Sequence, residues 1–247
     1  MILPIYTYGQ PVLRKQAQDI ALDSLDNGQS SMVNGSKDLQ RDLQCTSDPL
    51  DEGQRRLEHE KASRANGQSS MVNGQSSMVN GQCSTVNDLK QLIADMFETM
   101  YKSDGVGLAA PQIGKAIRLV VVTLDPLKED FPEYAGFDRA YINPHILEFD
   151  DSETETLEEG CLSLPGIHEP VKRPKRIRMA WVDEELKEHD EWIDGYLARV
   201  LQHEVDHLEG KVFTDRIAPL RKQLVKSKLS SLQRGKVNCH YRVKPMR

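Results

Sequence analysis

Between residues 89 and 101 the apolar positions recur with a helical period. Leu89, Leu92, Ile93, Met96, Phe97, Met100 and Tyr101 stand at i, i+3, i+4, i+7, i+8, i+11 and i+12, a continuous stripe on a 3.6-residue helix. The pattern predicts an amphipathic helix capped by Asn87 or Asp88 and stopped at Gly105. A glycine-rich stretch, residues 104–112, predicts a loop. The rhythm then changes: 117–124 is a β-branched run that predicts a buried strand, 141–149 and 175–183 predict two more, and 189–193 pairs with the last as a hairpin. Residues 125–138, with two prolines, predict a loop. A second helix begins near Asp194-Gly195, with Leu197, Val200, Leu201, Glu204 and Leu208 on one side and Gly210 closing it. Glu204 is out of place on that apolar side unless it faces a site. Residues 219–232 predict a basic helix with Pro219 in its first turn. Ahead of all this, 9–11 reads as a turn and 12–17 as a short helix or extended arm. Strands and helices mix without a regular βαβ alternation, which predicts an α+β fold.

Residues 23–87 break the pattern. The heptapeptide Asn-Gly-Gln-Ser-Ser-Met-Val begins at Asn27, Asn66 and Asn73, with a degenerate copy at Asn80. Seven is the coiled-coil period, but Asn-Gly and Ser-Ser inside each copy oppose helix. Asn-Gly favours tight turns, so a repeated turn is conceivable. Each unit offers only Met and Val to bury, too little to offset chain entropy. The expectation is a single domain over 1–247 interrupted by a disordered low-complexity insertion at 23–87. A mean hydropathy of -0.56 and 38% hydrophobic residues fit a folded domain diluted in this way.

A net charge of -6 gives no support for general or specific DNA binding. The basic runs at 172–176 and 221–228 read first as solvated faces. No secretory pattern or apolar run of membrane-spanning length is visible, and the four cysteines form no CxxC pair. The expectation is a cytoplasmic protein away from membranes.

The chemistry centres on Gln202-His203-Glu204-Val205-Asp206-His207. Histidines at i and i+4 share a helix face and can reach one metal ion, and the intervening glutamate can move a water's protons. The segment points to metal-assisted hydrolysis without naming the bond. A third ligand is needed. No histidine follows before His240, and only Glu209 and Asp215 are acidic downstream. Cys161, an isolated cysteine, reads on its own as a buried thiol. Spacing alone leaves the third ligand open.

Three segments in this order resemble peptide deformylase: Gly105-Val106-Gly107-Leu108-Ala109-Ala110-Pro111-Gln112, Glu159-Gly160-Cys161-Leu162-Ser163, and Gln202 to His207. The similarity covers roughly residues 1–22 and 88–247; the insertion is the departure. The resemblance implies mixed or antiparallel strands packed around a central HExxH-bearing helix, with a C-terminal helix. It implies Cys161, His203 and His207 as ligands of one divalent ion, Fe(II) first, with Zn(II), Ni(II) or Co(II) as alternatives. It implies Glu204 as general base and acid, the Gln112 side chain and the Leu162 N–H as oxyanion donors, and Val106 and Gly107 as the loop against which substrate lies. The substrate implied is the N-formyl-methionyl nascent polypeptide, and the basic C-terminal helix is a candidate contact with the ribosome. Val106, Leu162 and Val200 are expected to form the methionine pocket. The competing readings are an HExxH zinc endopeptidase and an inactive metal-binding, ribosome-associated protein. Glu159 is expected to pair with an arginine, Asp206, which faces a different direction on the helix, to be structural or a hydrogen-bond partner of an imidazole, and Gln202 to be structural. His145, His168, His189 and His240 are expected on the surface or in loops.

Overall fold

In the computed structural model, which describes residues 1–25, 78–79 and 82–246, the elements run in this order. They are β1 (Ile5–Tyr6), β2 (Met78–Val79), β3 (Gln82–Cys83), α1 (Val86–Lys102), β4 (Gly107–Ala109), β5 (Leu119–Thr123) and β6 (Asp138–Gly160). They continue with β7 (His168–Val182), β8 (Glu188–Asp194), α2 (Gly195–Leu208), α3 (Pro219–Gln233) and β9 (Val243–Lys244). Strands β4 to β8 form one sheet in chain order, every neighbouring pair antiparallel. The chain ends meet where β1 pairs in parallel with β9. Mixed α+β architecture with an antiparallel sheet and three α-helices is as expected. The described residues fall in one unit, Met1–Gly28 with Ser77–Arg247.

Strand β5 explains the layering. All five of its residues are buried, so no apolar–polar alternation marks it, because both faces of the sheet are covered. Leu119 and Val121 point into one cluster with Leu89, Leu92, Met96 and Met100 of α1. Val120 and Val122 point into another with Ala198, Leu201, Val205 and Leu208 of α2. A third cluster joins Leu164, Ile167 and Phe213 to Val225, Leu229 and Leu232 of α3.

Several boundaries differ from the sequence expectation. The cap of α1 is Thr85, not Asn87 or Asp88: its hydroxyl accepts from the Asp88 N–H at 3.0 Å, and Asp88 sits in the first turn. The glycine-rich stretch is not all loop, since β4 pairs Gly107 with Val122 and a 3-10 turn follows at Ala110–Ile113. β6 runs past residue 149 to Gly160; its outer half, around Glu153–Thr156, is exposed and polar, so hydrophobic patterning could not find it. The insertion is also shorter than 23–87 at both ends. Leu25 is buried in the α1 cluster, β2 and β3 pair on either side of the Asn80-Gly81 dipeptide, and residues 84–87 begin α1. The remaining repeats lie outside the described residues. The arm at 12–17 is a 3-10 turn over Pro11–Arg14.

A buried charge network locks α2 to the sheet. Arg173 of β7, 2% exposed, donates to both oxygens of Glu159 at 2.6 and 2.9 Å and to Asp206 of α2 at 2.8 Å. Arg199 adds a 2.9 Å bond to Glu159, and Arg216 pairs with Asp206. Burial alone would raise the Glu159 carboxyl, but Arg173 and the His203 imidazole hold it well below the usual range.

Thr85→Ala removes the helix cap and should cost about 1 kcal/mol in urea unfolding followed by circular dichroism. Arg173→Met removes the one guanidinium shared by two buried carboxylates, leaving Glu159 to Arg199 and Asp206 to Arg216, and should cost about 3 kcal/mol at neutral pH. The Glu159 carboxyl is depressed in the folded state, so its stabilisation is present above the ordinary carboxylate pKa of about 4.3 and is lost as pH falls toward the lower folded value. Urea midpoints measured from pH 6 to 3 should therefore drop less steeply for Glu159→Gln than for wild type; parallel curves would remove Glu159 from the account.

Candidate metal centre and active site

Cys161 follows β6 directly, at the start of a turn closed by the Leu164 N–H donating to its carbonyl at 2.9 Å. The Tyr8 N–H holds the same turn through the Ser163 carbonyl at 2.8 Å. His203, Glu204 and His207 all lie on α2. Helix and turn bring one donor atom each from Cys161, His203 and His207 within 4.8 Å of one another, with Cys161 Sγ 3.2 Å from His207 Nε2. His203 Nδ1 lies 3.0 Å from Glu159 Oε2, and its ring stacks on Phe213. That bond turns the other ring nitrogen toward the thiol. Glu159 thus has two tasks, pairing with Arg173 as expected and orienting an imidazole. Of the two readings of Asp206, the structure gives the structural one: its position on the helix points it at Arg173 and Arg216 rather than at an imidazole.

The electrostatics suit a cation. Burial would lower the His203 pKa, but Cys161 and Glu159 outweigh it and raise it well above the usual value, so the cluster favours positive charge beside the sulfur. Burial and the charges of His203 and Arg173 push His207 well below its usual value, leaving a neutral imidazole with a lone pair to give. Among the described residues, Glu204 Oε2 is buried at the cavity without a hydrogen-bond partner. A carboxylate oxygen is rarely left so, and this one faces the space beside the three donors. A thiol and two imidazoles with converging donors fit one divalent ion.

Glu204 is 4% exposed, and burial pushes its carboxyl up to about 7, with Glu159 and Asp206 adding to the rise. Its neighbour is Gly107. A Cβ built there would lie 2.4 Å from Glu204 Oε1 and 2.9 Å from its Cδ, so the β4 backbone approaches the carboxylate as only glycine allows. Gln112 is fully oriented: its Oε1 accepts from the Ala109 N–H at 2.8 Å, which aims Nε2 at Ser163 Oγ, 3.3 Å, and at Cys161 Sγ, 3.6 Å.

Gln112, Cys161, His203 and Glu204 line a cavity of about 760 Å³. Val106, Gly107, Leu162 and Val200 line it as well, and His207 adjoins it beside Cys161 and His203, so all nine residues singled out in sequence surround or adjoin one space. Gln202 is structural, donating to the Pro174 carbonyl at 2.9 Å. His145 pairs with Asp19 and His189 stacks on Trp181, away from the cavity. His168 and His240 are exposed, as expected, and also line its rim, as do Asn238, Cys239 and Tyr241. No residue spacing marks the 238–241 segment, which reaches the site only because the chain folds back after α3.

The polypeptide deformylase family model matches residues 69–223. A peptide deformylase from Flavobacterium psychrophilum is 42% identical over 164 residues, 64% of this chain and 84% of that protein. One from Cytophaga hutchinsonii is 33% identical over 99% of this chain and 97% of its own length. Among solved structures, the peptide deformylase from Thermus thermophilus superposes with a TM-score of 0.61 at 29% identity, covering 95% of this chain and 99% of that one. The class I type b enzyme from Acinetobacter baumannii gives 0.58 at 27%, covering 88% and 99%. The chain belongs to the polypeptide deformylase family, metal-dependent hydrolases that remove the N-formyl group from nascent polypeptides.

Proposed function

We propose that Cys161, His203 and His207 hold the divalent ion of this deformylase and that Glu204 is its proton shuttle. The observation that carries the assignment is the convergence of those three donors beside a buried carboxylate with an unpaired oxygen. When bound, a divalent ion there supplies a Lewis acid that acidifies water and polarises the formyl carbonyl. Fe(II) is our first assignment, with Zn(II), Ni(II) or Co(II) compatible with the same donors. Glu204, with a pKa near 7, accepts a proton from the attacking water as the new C–O bond forms. The Gln112 amide, already aimed inward, donates to the carbonyl oxygen as charge builds on it, and the Leu162 N–H is the second donor; one such bond is worth roughly 3 kcal/mol. Glu204 then gives its proton to the amine nitrogen as the C–N bond breaks, releasing formate and a free N-terminus.

The formyl carbon bears no side chain, so a site this closely packed admits formyl and rejects bulkier acyl groups. Val106 and Gly107 face the substrate, and Val106, Leu162 and Val200 form the methionine pocket. We take residues 1–25 and 78–246 as one catalytic domain, with α2, which touches all five strands of the large sheet, as its central helix. The substrate places the reaction in the cytoplasm, where nascent chains emerge. No helix among the described residues is long and apolar enough to cross a membrane. Helix α3 supports a ribosome contact: Arg221 and Lys222 are half exposed, and Leu220 and Leu224 stand out at 70% and 65% exposure.

Glu204→Ala should lower kcat for formate release from formyl-Met-Ala-Ser by at least a hundredfold while binding one metal per chain; activity near wild type would sink the shuttle role. In Gly107→Ala the added methyl collides with the carboxylate, so kcat should fall tenfold or more at unchanged metal content. A Gly107→Ala enzyme with wild-type kcat would show that Glu204 needs no fixed position.

A further inference from the structure

After α3 the chain returns to the active site. Gly235, with φ +74°, ends the helix, and at the far end β9 pairs with β1 while Gln10 Nε2 donates to the Lys244 and Pro245 carbonyls at 3.2 and 2.8 Å. Anchored at both ends, residues 238–241 form a strap along one wall of the cavity that holds Cys161, His203 and Glu204. Two contacts fasten its middle. Tyr241 Oη donates to the Leu162 carbonyl at 2.8 Å, and His240 Nε2 lies 3.0 Å from Asp104 Oδ2. Asp104 precedes Gly105, and a Cβ at Gly105 would sit 2.8 Å from Leu162 Cδ1, so the glycine-rich lip and the Leu162 lip already touch. The strap therefore bridges both lips of the groove. The His240–Asp104 pair is exposed, 63% and 83%, and screened by solvent, so the partly buried Tyr241 bond is the firmer tie.

We propose that this strap is a specificity element, forming the wall met by the residues that follow formyl-methionine, and that Tyr241 is the positioning residue fixing it to Leu162. The inference rests on reading this cavity as the deformylating site. A formylated chain held at Glu204 must lead its second and third residues out of the same 760 Å³ space, and one side of that space is made of Asn238, Cys239, His240 and Tyr241. No hydrogen bond among the described residues joins the strap to Glu204 or to the proposed metal donors, and Tyr241 meets the Leu162 carbonyl rather than its N–H; a loss passed through that turn is shared by short and long peptides and cancels in their ratio, so the wall's own effect reads as a dependence on peptide length.

The test uses the full-length, Ni(II)-loaded enzyme on formyl-Met-Ala and formyl-Met-Ala-Ser-Val, comparing wild type with Tyr241→Phe and Cys239→Trp. Tyr241→Phe keeps the ring and loses the donor; Cys239→Trp thickens the wall and gives up the weak Cys239 Sγ bond to the Tyr241 carbonyl, 3.5 Å, but keeps the Tyr241 hydroxyl and its acceptor. Each variant should lower the ratio of kcat/KM for the longer peptide to that for the shorter by at least fivefold, chiefly through KM, with a melting temperature within a few degrees of wild type. Equal losses on both peptides, or an unchanged ratio in both variants, would overturn the proposal. A shifted ratio in Cys239→Trp alone would keep the wall and overturn the role of Tyr241. Wild type that releases formate from neither peptide would reject the site reading itself, and the strap proposal with it.

Discussion

The centre of this enzyme depends on one buried ion-pair network. Arg173 reaches Glu159 at the end of one strand and Asp206 in the following helix, and Glu159 in turn holds His203. Taking these charges out of water is expensive, and a buried pair is seldom worth more than apolar packing of the same volume. Here the geometry accounts for the cost. Cys161 stands two residues after Glu159, and His203 and His207 flank Asp206, so one guanidinium fixes the distance between the turn that offers sulfur and the helix that offers imidazoles. A hydrophobic patch could join β7 to α2 equally well, but it could not also donate to the carboxylate that orients His203. Register between strand and helix and orientation within the site come from the same bonds.

The second constraint is the contact between Gly107 and Glu204. The strand β4 lies at the edge of the sheet, and α2 packs close enough that a single methyl would strike the carboxylate. Close approach expels water, and expulsion of water raises the Glu204 pKa toward neutrality. A carboxyl raised by burial holds a proton more readily than an exposed glutamate, which suits the role proposed for Glu204 of taking a proton and giving it up again. Under that proposal the glycine shapes the acid–base chemistry without contributing an atom to it.

How much of this was legible in sequence follows from the kind of signal each part leaves. The helices at 86–102 and 195–208 were visible because each buries one face, and a single buried face writes a period. The misplaced polarity of Glu204 in that period already indicated a site. The outer half of β6 was not visible, because it is solvated on both sides and held by pairing with β7 alone, which leaves no hydrophobic trace. The cap at Thr85 was missed for a related reason: Ser84, Thr85, Asn87 and Asp88 are all good capping residues, and only the hydrogen bond selects among them. Helix geometry already turned Asp206 away from the two imidazoles, but its partners, two arginines brought from 33 residues before it and 10 after, leave no mark in its own neighbourhood of the chain.

The return of the chain after α3 belongs to the same class of hidden feature and bears on how the site is closed. β9 is two residues long and could not hold alone; it persists because β1 and the Gln10 amide take its polar groups, while the Tyr241 hydroxyl, two residues before it, ties the chain to the Leu162 carbonyl. β1 leads within two residues to Tyr8, whose N–H fixes the Ser163 carbonyl in the turn that presents Cys161. Tyr241 fixes the carbonyl of Leu162, the residue before it. Both chain ends therefore hold consecutive peptide groups of one short turn, from two sides. If adjacent residues of this turn offer a metal donor and an oxyanion N–H, as proposed, the turn has to be stiff along its length, since a small rotation of one peptide would move both groups at once. Joining the ends to each other and then to that turn supplies the stiffness from elements with no apolar face to announce them.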